Sequence, residues 1–222
     1  MQDPWMFGWT QLLTIIGFAI TIAIAFGGFR TFDGWKREKL EERRIDIAFE
    51  ALTLAYQAQG VFDTIRNPGS FGYETEGMPR WAGESEENYN YRKTYYVILK
   101  RIDDNKEFFM QAWKLQPRFM AMFGPENEQL FKTLHMARID VAIAAQMLMR
   151  RDDSPYTEEK GKRRMRMEAD IWSGVAVAHG TDDFPDGDRV QNKLDEFKNG
   201  IIKVCRPVVD RGFKTNDKPW GP

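Results

Sequence analysis

One feature limits the possible folds of this chain more than any other: positions 4–29 contain no charged residue. As a helix rising about 1.5 Å per residue, such a run extends roughly 39 Å, which exceeds the roughly 30 Å hydrocarbon core of a bilayer. Amphipathic aromatic rings favour the headgroup layers, and they flank the most apolar part of the run, Leu12–Phe29, on both sides. These rings are Trp5, Trp9, Phe32 and Trp35. The pattern predicts an N-terminal transmembrane anchor over residues 1–34.

A cleaved signal peptide is the main alternative, because Ala23-Ile24-Ala25 resembles a cleavage site after an apolar stretch. A signal peptide also needs a positively charged start, and no Lys or Arg precedes this run. We therefore expect a retained anchor in the lipid bilayer. Its small residues Ala19, Ala23 and Gly27 recur at every fourth position and form a stripe on which a second membrane helix can pack. The alternative is that Ala and Gly are simply frequent in membrane helices.

The charges beside the anchor predict its orientation. Six Lys and Arg residues lie between positions 30 and 44, and none precedes the run. Because cytoplasmic flanks are enriched in Lys and Arg, we expect the N-terminus outside and the remaining chain in the cytoplasm. The single cysteine, Cys205, agrees, since one thiol forms no internal disulfide and free thiols suit the cytosol.

The rest of the chain has the composition of an ordinary folded domain. Its 32 basic and 33 acidic residues give a formal net charge of -1, which argues against a globally basic nucleic-acid-binding protein. Apolar residues after position 30 recur with the i, i+3, i+4, i+7 spacing of amphipathic helices. Helices are predicted at 35–66, 86–115, 126–151, 157–173 and 188–204. We expect an all-α fold, with an antiparallel bundle of four to five helices over 35–210 and a loose C-terminal tail over 211–222.

Helix breakers separate these segments. Asn67-Pro68-Gly69 opens a loop over residues 67–85, which is longer than most connections in compact domains. Pro117 is expected to interrupt the helix that begins at residue 86, and Pro207 is expected to close the last helix.

The residue types needed for metal binding or catalysis do not form a recognisable arrangement. His135 and His179 are the only histidines, and neither has the spacing of a helical metal site. Cys205 has no nearby histidine or second cysteine. Paired aspartates at 103–104, 152–153 and 182–183 suit helix surfaces and helix ends rather than cation sites. We expect no catalytic residue, metal or cofactor, and we keep open one enzymatic alternative, acid-base chemistry by carboxylates alone.

The triplet Arg-Ile-Asp occurs once in each of three long predicted helices. Residues two apart on a helix do not face each other, so each Arg and Asp needs a partner elsewhere. We expect either an inter-helix ionic layer that fixes the bundle register or a coincidence. The residues concerned are Arg44, Asp46, Arg101, Asp103, Arg138 and Asp140.

Two surfaces are candidates for binding. The first is a basic patch that suits anionic lipid headgroups or a partner, with a solvated helix face as the alternative. It comprises Lys160, Lys162, Arg163, Arg164 and Arg166. The second is the 67–85 loop with Phe71, Tyr73 and Trp81, which suits a protein contact or folds back onto the bundle. Nucleic acid is not expected, because no aromatic platform or recognition motif accompanies the basic patch.

Several short motifs carry a resemblance to known proteins. They are Trp35–Leu40 (WKREKL), Ile65–Gly72 (IRNPGSFG), Arg118–Gly124 (RFMAMFG), Ile171-Trp172 and Val204–Pro207 (VCRP). With the apolar N-terminus, they make the chain resemble a family of uncharacterised bacterial single-pass membrane-anchored proteins with a helical cytoplasmic domain. The resemblance covers most of residues 30–210. It implies an inner-membrane location and assigns no activity, cofactor or catalytic residue.

These features favour a non-catalytic function. We expect an accessory or scaffold subunit of a membrane-associated assembly, which binds a protein partner or further copies of itself through the cytoplasmic helical domain. The alternative is a membrane-anchored regulatory or sensory module that binds a ligand.

Overall fold

A computed structural model of the chain describes residues 8–150, 155–176 and 184–214. Within these ranges the regular structure consists of α-helices and two short 3-10 helices, without any β-strand, which confirms the predicted all-α fold. The α-helices are α1 Trp9–Ile65, α2 Glu86–Asp104, α3 Lys106–Phe123, α4 Glu128–Leu148, α5 Glu158–Ile171 and α6 Arg189–Lys214. The chain forms two compact units, Met1–Asp46 and Ile47–Pro222.

The first unit contains a segment that is long and apolar enough to cross a membrane. This segment, Gln11–Gly28, has a mean hydropathy of 1.9, and none of it is buried. The Thr21 hydroxyl donates to the carbonyl of Gly17 at 2.8 Å, which satisfies a polar group inside the helix itself. Both length and composition therefore suit a bilayer.

The predicted membrane-interface aromatics and the small-residue stripe lie on the exposed surface of α1. Trp9, Phe32 and Trp35 are each more than half exposed, whereas Trp5 lies outside the described residues. The predicted stripe has exposed residues at 19 and 23, and a Cβ added at Gly27 would meet no atom within 4 Å. A second helix has open access to this stripe, and its pairing stays a prediction.

The core of the second unit uses the apolar faces that the sequence spacing predicts. Helix α4 lies at its centre and packs against α2, α3, α5 and α6. Edge-to-face contacts connect the aromatic rings of neighbouring helices. The ring centroids of Phe62 in α1 and Phe109 in α3 are 6.0 Å apart, and those of Phe131 in α4 and Phe197 in α6 are 5.9 Å apart. The apolar spacing over 35–66 predicts a core face that begins at Leu40, but Leu40 is 52% exposed and the buried face begins at Ile47. Its buried residues are Ile47, Ala48, Ala51, Leu52, Ala55, Ala58, Phe62 and Ile65.

The two prolines do not end their helices, and the sequence prediction was wrong at both. Pro117 lies inside α3 and Pro207 lies inside α6, which continues to Lys214. Both prolines are exposed, so the carbonyl that each leaves without an intrahelical donor lies on the solvent side of its helix and can accept from water. The predicted helix 86–115 is interrupted at Asn105, between α2 and α3. The side-chain amide of Asn105 donates to the Arg101 carbonyl at 2.8 Å.

Local capping residues explain where other helices begin and end. The Thr157 hydroxyl accepts the backbone N–H of Lys160 at 3.3 Å, which confirms the predicted start of α5. Ser85 caps α2 in the same way through Asn88. Gly124 ends α3 with a φ of 101°, a conformation that disfavours residues with a Cβ.

Candidate functional site

Residues 67–85, between α1 and α2, are held by a buried arginine of α2. Arg101 donates to both carboxylate oxygens of Glu74, at 2.6 Å and 2.9 Å, and to the backbone carbonyls of Asn67 and Gly69. Glu74 in turn accepts the backbone N–H of Phe71 at 2.8 Å. The Arg101 guanidinium lowers the pKa of Glu74 below its ordinary value, which favours the charged pair. Arg101 therefore fixes the first half of the loop.

A second buried arginine fixes the other half. Arg92 donates to Glu84 at 2.6 Å and to the backbone carbonyl of Pro79 at 2.9 Å. Its guanidinium carbon also lies 3.8 Å from the ring centroid of Trp81, which is a cation-π contact. Hydrogen bonding by Arg92 lowers the pKa of Glu84. The sequence contains no signal that singles out Arg92, because its partners lie 8 to 13 residues earlier in an irregular segment.

Two neighbouring aromatic rings of the loop are stacked on each other and exposed to solvent. Phe71 is 64% exposed and Tyr73 is 67% exposed. Their rings are stacked, with centroids 5.7 Å apart and planes only 8° from parallel. Trp81 is also exposed, at 52%, but Arg92 covers one face of its ring. The exposed aromatic residues of the loop therefore divide into a stacked pair and a tryptophan with one covered face, and we name Phe71 and Tyr73 the aromatic pair.

The predicted basic patch on α5 is divided between several environments. Arg164 pairs with Glu168 at 2.9 Å and donates to the Tyr95 hydroxyl at 3.3 Å. Lys162 pairs with Glu158 along the helix at 2.7 Å. Three of the patch residues line a groove of about 690 Å³ between α2, α4 and α5, and Arg166 lines a smaller cavity of about 150 Å³ near the start of α6. The three groove residues are Lys160, Arg163 and Arg164.

A buried network at the end of α1 was not predicted. Arg66, which is 2% exposed, donates to the carbonyls of Ala169 at 2.7 Å and Asp170 at 2.9 Å, and to the carboxylate of Asp188 at 2.8 Å. Asp170 is also buried, and it accepts from Arg189 at 2.6 Å. The network thus joins the ends of α1 and α5 to the start of α6.

Burial raises the pKa of Asp170, and the hydrogen bonds from Arg189 oppose that shift without cancelling it. A carboxyl group with a raised pKa can serve as an acid or base, but both oxygens of Asp170 already accept from Arg189. Asp188 is likewise engaged, by Arg66 and by the backbone N–H groups of Val190 and Gln191. These hydrogen bonds indicate a structural joint between helices.

The Arg-Ile-Asp triplets make their contacts at separate places. Asp140 forms an ion pair with Lys193, which joins α4 to α6. Arg101 binds the loop through Glu74, and Asp103 lies 3.8 Å from Lys106 in the next turn of the chain. The guanidinium carbon of Arg138 lies 5.4 Å from the ring centroid of Phe109. A guanidinium nitrogen of Arg44 lies 4.0 Å from a carboxylate oxygen of Glu41. Asp46 is exposed. These partners connect different parts of the molecule rather than one layer.

Burial shifts the pKa of both Cys205 and His135 from their ordinary values. Burial raises the pKa of the Cys205 thiol to about 12, so the reactive thiolate is disfavoured. Burial, assisted by Arg138, lowers the pKa of His135, whose ring lies 6.3 Å from that of Trp113. His179 lies outside the described residues. The described part of the chain contains no cluster of three His, Cys, Asp or Glu side chains that could hold a metal ion.

No protein-family model, curated protein or solved structure matches this chain. Several residues from the short sequence motifs are packing points. Ile171 and Cys205 are completely buried, Arg66 joins three helices, and the Asn67 and Gly69 carbonyls accept from Arg101. These motif residues have structural contacts and do not by themselves specify an activity.

Proposed function

We propose that this protein is a non-catalytic, single-pass membrane protein that acts as an accessory or scaffold subunit of a membrane-associated assembly. The apolar segment Gln11–Gly28 supports the anchor. The Lys and Arg residues after position 29 support a cytoplasmic helical domain with the N-terminus outside. The motif resemblance supports the inner membrane of a bacterium. In this proposal the helical domain acts by binding a protein partner.

The observation that carries the proposal is the exposure of the aromatic pair on a loop that two buried arginines hold. Two buried arginines, Arg92 and Arg101, bind a connecting loop through carboxylates and backbone carbonyls. Burying a guanidinium costs free energy that only well-formed hydrogen bonds offset. The result is a loop whose exposed rings, Phe71 and Tyr73, need no further ordering before they contact a partner. Preorganised aromatic residues are typical of the energetic centres of protein interfaces.

The test is purification of the full chain from its own membranes in mild detergent. We expect partner proteins to co-purify with the wild type and to be lost from the Phe71→Ala/Tyr73→Ala double variant. Tyr56→Ala is the matched control, because Tyr56 is an aromatic residue on α1 with 53% exposure. Repeated isolation of this chain alone, with a monomeric mass, would refute the proposal. Equal recovery of partners with the double variant would exclude the aromatic pair as the contact.

A regulatory or sensory module that binds a ligand is the second candidate. The continuity of α1 from Trp9 to Ile65 favours it, because one helix includes the apolar segment, the exposed charged segment 36–43 and residues of the core. A ligand that binds the helical domain and changes the helix ends could act through such an element. A compound that raises the melting temperature of the full chain, and alters crosslinking between membrane helices, would favour this candidate over the scaffold.

A further inference from the structure

The groove between α2, α4 and α5 combines an apolar floor with a cationic rim. Its apolar and aromatic lining comes from Tyr91, Met147, Leu148, Tyr156 and Met167. Its volume of about 690 Å³ falls in the range of sites that bind large side-chain clusters or small ligands. Methionine side chains adapt to different partners, so this floor suits a protein surface as well as a small molecule.

The described lining of the groove carries more positive than negative side chains. Among the residues that the structure describes, four cationic side chains and one carboxylate, that of Glu87, line the groove, and one of the four cations, Arg164, is paired with Glu168. Arg150 and Arg163 have no ion-pair partner among the residues that the structure describes, and both are exposed. Arg164 lies over the Tyr91 ring at 5.9 Å, which places its charge directly above the apolar floor. The groove is therefore complementary to a carboxylate-rich group that also carries apolar surface.

An exposed apolar seam on α4 leads into this groove. It consists of Met136, Ile139, Ile143 and Met147, whose spacing of three and four residues places them on one face of the helix. Met136, Ile143 and Met147 are 45%, 52% and 42% exposed, so no neighbouring helix covers the seam fully. Met147 belongs to both the seam and the groove. The eleven-residue separation of its ends corresponds to about 16 Å along the helix axis.

We propose that the seam and the groove together bind one amphipathic helix of a partner protein, with acidic residues at the end that enters the groove. The inference deepens the proposed function and rests on it, since it names the kind of segment that the scaffold recognises. Apolar residues of the partner helix, spaced three and four apart, pack along α4 from Met136 to Met147. Its terminal carboxylates contact Arg150 and Arg163.

The seam is what favours a helix over other anionic ligands. A phospholipid headgroup or a free anion would neutralise the rim and leave Met136 and Ile143 in water. A partner helix covers the straight apolar track and satisfies the cations at one end of it. Apolar burial then supplies affinity, and the charges set the direction in which the helix lies.

The experiment places a photo-crosslinking amino acid, p-benzoylphenylalanine, at Ile143 of the full chain in native membranes. The attached segment is sequenced by mass spectrometry. We expect a segment of another protein with apolar residues three and four apart and Asp or Glu at one end. Met136 is a second labelling position, and an unchanged melting temperature shows that each labelled chain is folded. Labelling at Tyr56 on α1 controls for chance encounters.

Charge reversal in the groove supplies the second arm. Arg163→Glu should reduce the yield of the adduct at least tenfold, whereas Lys203→Glu on α6 should leave it unchanged. An adduct with a phospholipid, an adduct with a second copy of this chain, no adduct, or a yield unaffected by Arg163→Glu would each overturn the inference. If partners still co-purify through the aromatic pair while no helix is captured at Ile143, the groove assignment fails and the accessory function stands.

Discussion

Arg101 and Glu74 form a buried, two-pronged ion pair that joins the middle of α2 to the connecting loop, with nitrogen to oxygen distances of 2.6 Å and 2.9 Å. The same guanidinium donates to two backbone carbonyls, so one side chain fixes both the charge and the path of the loop. Such pairs are valuable for the geometry they impose, since desolvation removes much of their electrostatic gain. The exposed aromatic pair depends on this geometry.

The loop should keep its order down to mildly acidic pH and lose it only below. Arg101 lowers the pKa of Glu74 from its ordinary value of 4.5, so the folded loop binds a proton less readily than the unfolded chain. The stabilisation is therefore complete above about pH 4.5 and is lost as the pH falls through the lowered pKa. Hydrogen exchange of the 67–85 backbone, corrected for intrinsic rates, measures this directly.

Substitution of Glu74 should remove the pH dependence of the part of the loop that Arg101 holds. In Glu74→Gln, residues 67–74 should exchange faster than in wild type at pH 7 and show no further change at low pH, whereas the part held by Arg92 and Glu84 should keep its own pH dependence. Glu76→Gln is the matched control, because Glu76 is exposed in the same loop. If the loop amides of Glu74→Gln are as protected from hydrogen exchange as those of the wild type, the Arg101–Glu74 pair does not hold the loop.

Loss of Arg66 should be among the most damaging single changes in the chain. Arg66→Met leaves one oxygen of the Asp188 carboxylate and the carbonyls of Ala169 and Asp170 without the hydrogen bonds that Arg66 donates, and breaking a buried pair typically costs about 3–5 kcal/mol. Arg118→Met is the control, since its ion pair with Glu50 is more than 40% exposed at both side chains and such pairs contribute less than about 1 kcal/mol. Urea unfolding followed by circular dichroism should separate the two variants, and similar midpoints would count against the buried network.

Cys205 should be unreactive in the folded protein. Burial raises the pKa of its thiol to about 12, so the thiolate fraction at pH 8 is very small, and the side chain is also inaccessible. We expect negligible labelling by an aromatic disulfide reagent in mild detergent and complete labelling in 6–8 M urea, roughly the range that unfolds small domains. Rapid labelling of the native chain would show that α6 does not pack as described.

The small-residue stripe of α1 should be sensitive to bulk if it pairs with another membrane helix. Ala23→Leu adds volume at a site where close approach is needed, and we expect it to reduce crosslinking between chains and their apparent size in detergent. Ile22→Leu, which preserves volume on a neighbouring exposed position, serves as the control. Unchanged crosslinking in Ala23→Leu would dismiss the pairing hypothesis.

Periodicity was sufficient to predict most of the helical architecture. The buried face of α1 and that of α4 follow from apolar residues three and four apart, because burial selects that spacing directly. The same spacing also predicts that the helix continues through Pro117. Its buried residues lie on both sides of the proline at intervals of three and four: Phe108, Ala112, Leu115 and Phe119. A proline on the exposed side of a helix can be tolerated where one on the buried side would not.

Periodicity could not predict the contacts by which Arg92 and Arg101 hold the loop, or the Arg66 network. Arg101 was singled out by its triplet, but its partner Glu74 lies 27 residues away in a segment without periodicity. Arg66 binds groups 103 to 122 residues away, and nothing in its local sequence specifies them. Long-range ionic contacts depend on how helices pack, which a single sequence does not display. The groove between α2, α4 and α5 could not be predicted for the same reason, although the sequence did predict a basic patch that includes its α5 residues.

The double role of Asp188 also determines when the protein can finish folding. One carboxylate oxygen accepts from the first turn of α6, and the other accepts from Arg66, which lies 122 residues earlier in the chain. At about 5–20 residues per second, a ribosome needs roughly 6–24 s between these two residues. Throughout that interval Arg66 lacks its native partner Asp188. The contacts of α6 with Arg66 and with α4 therefore form only after the last helix has been made.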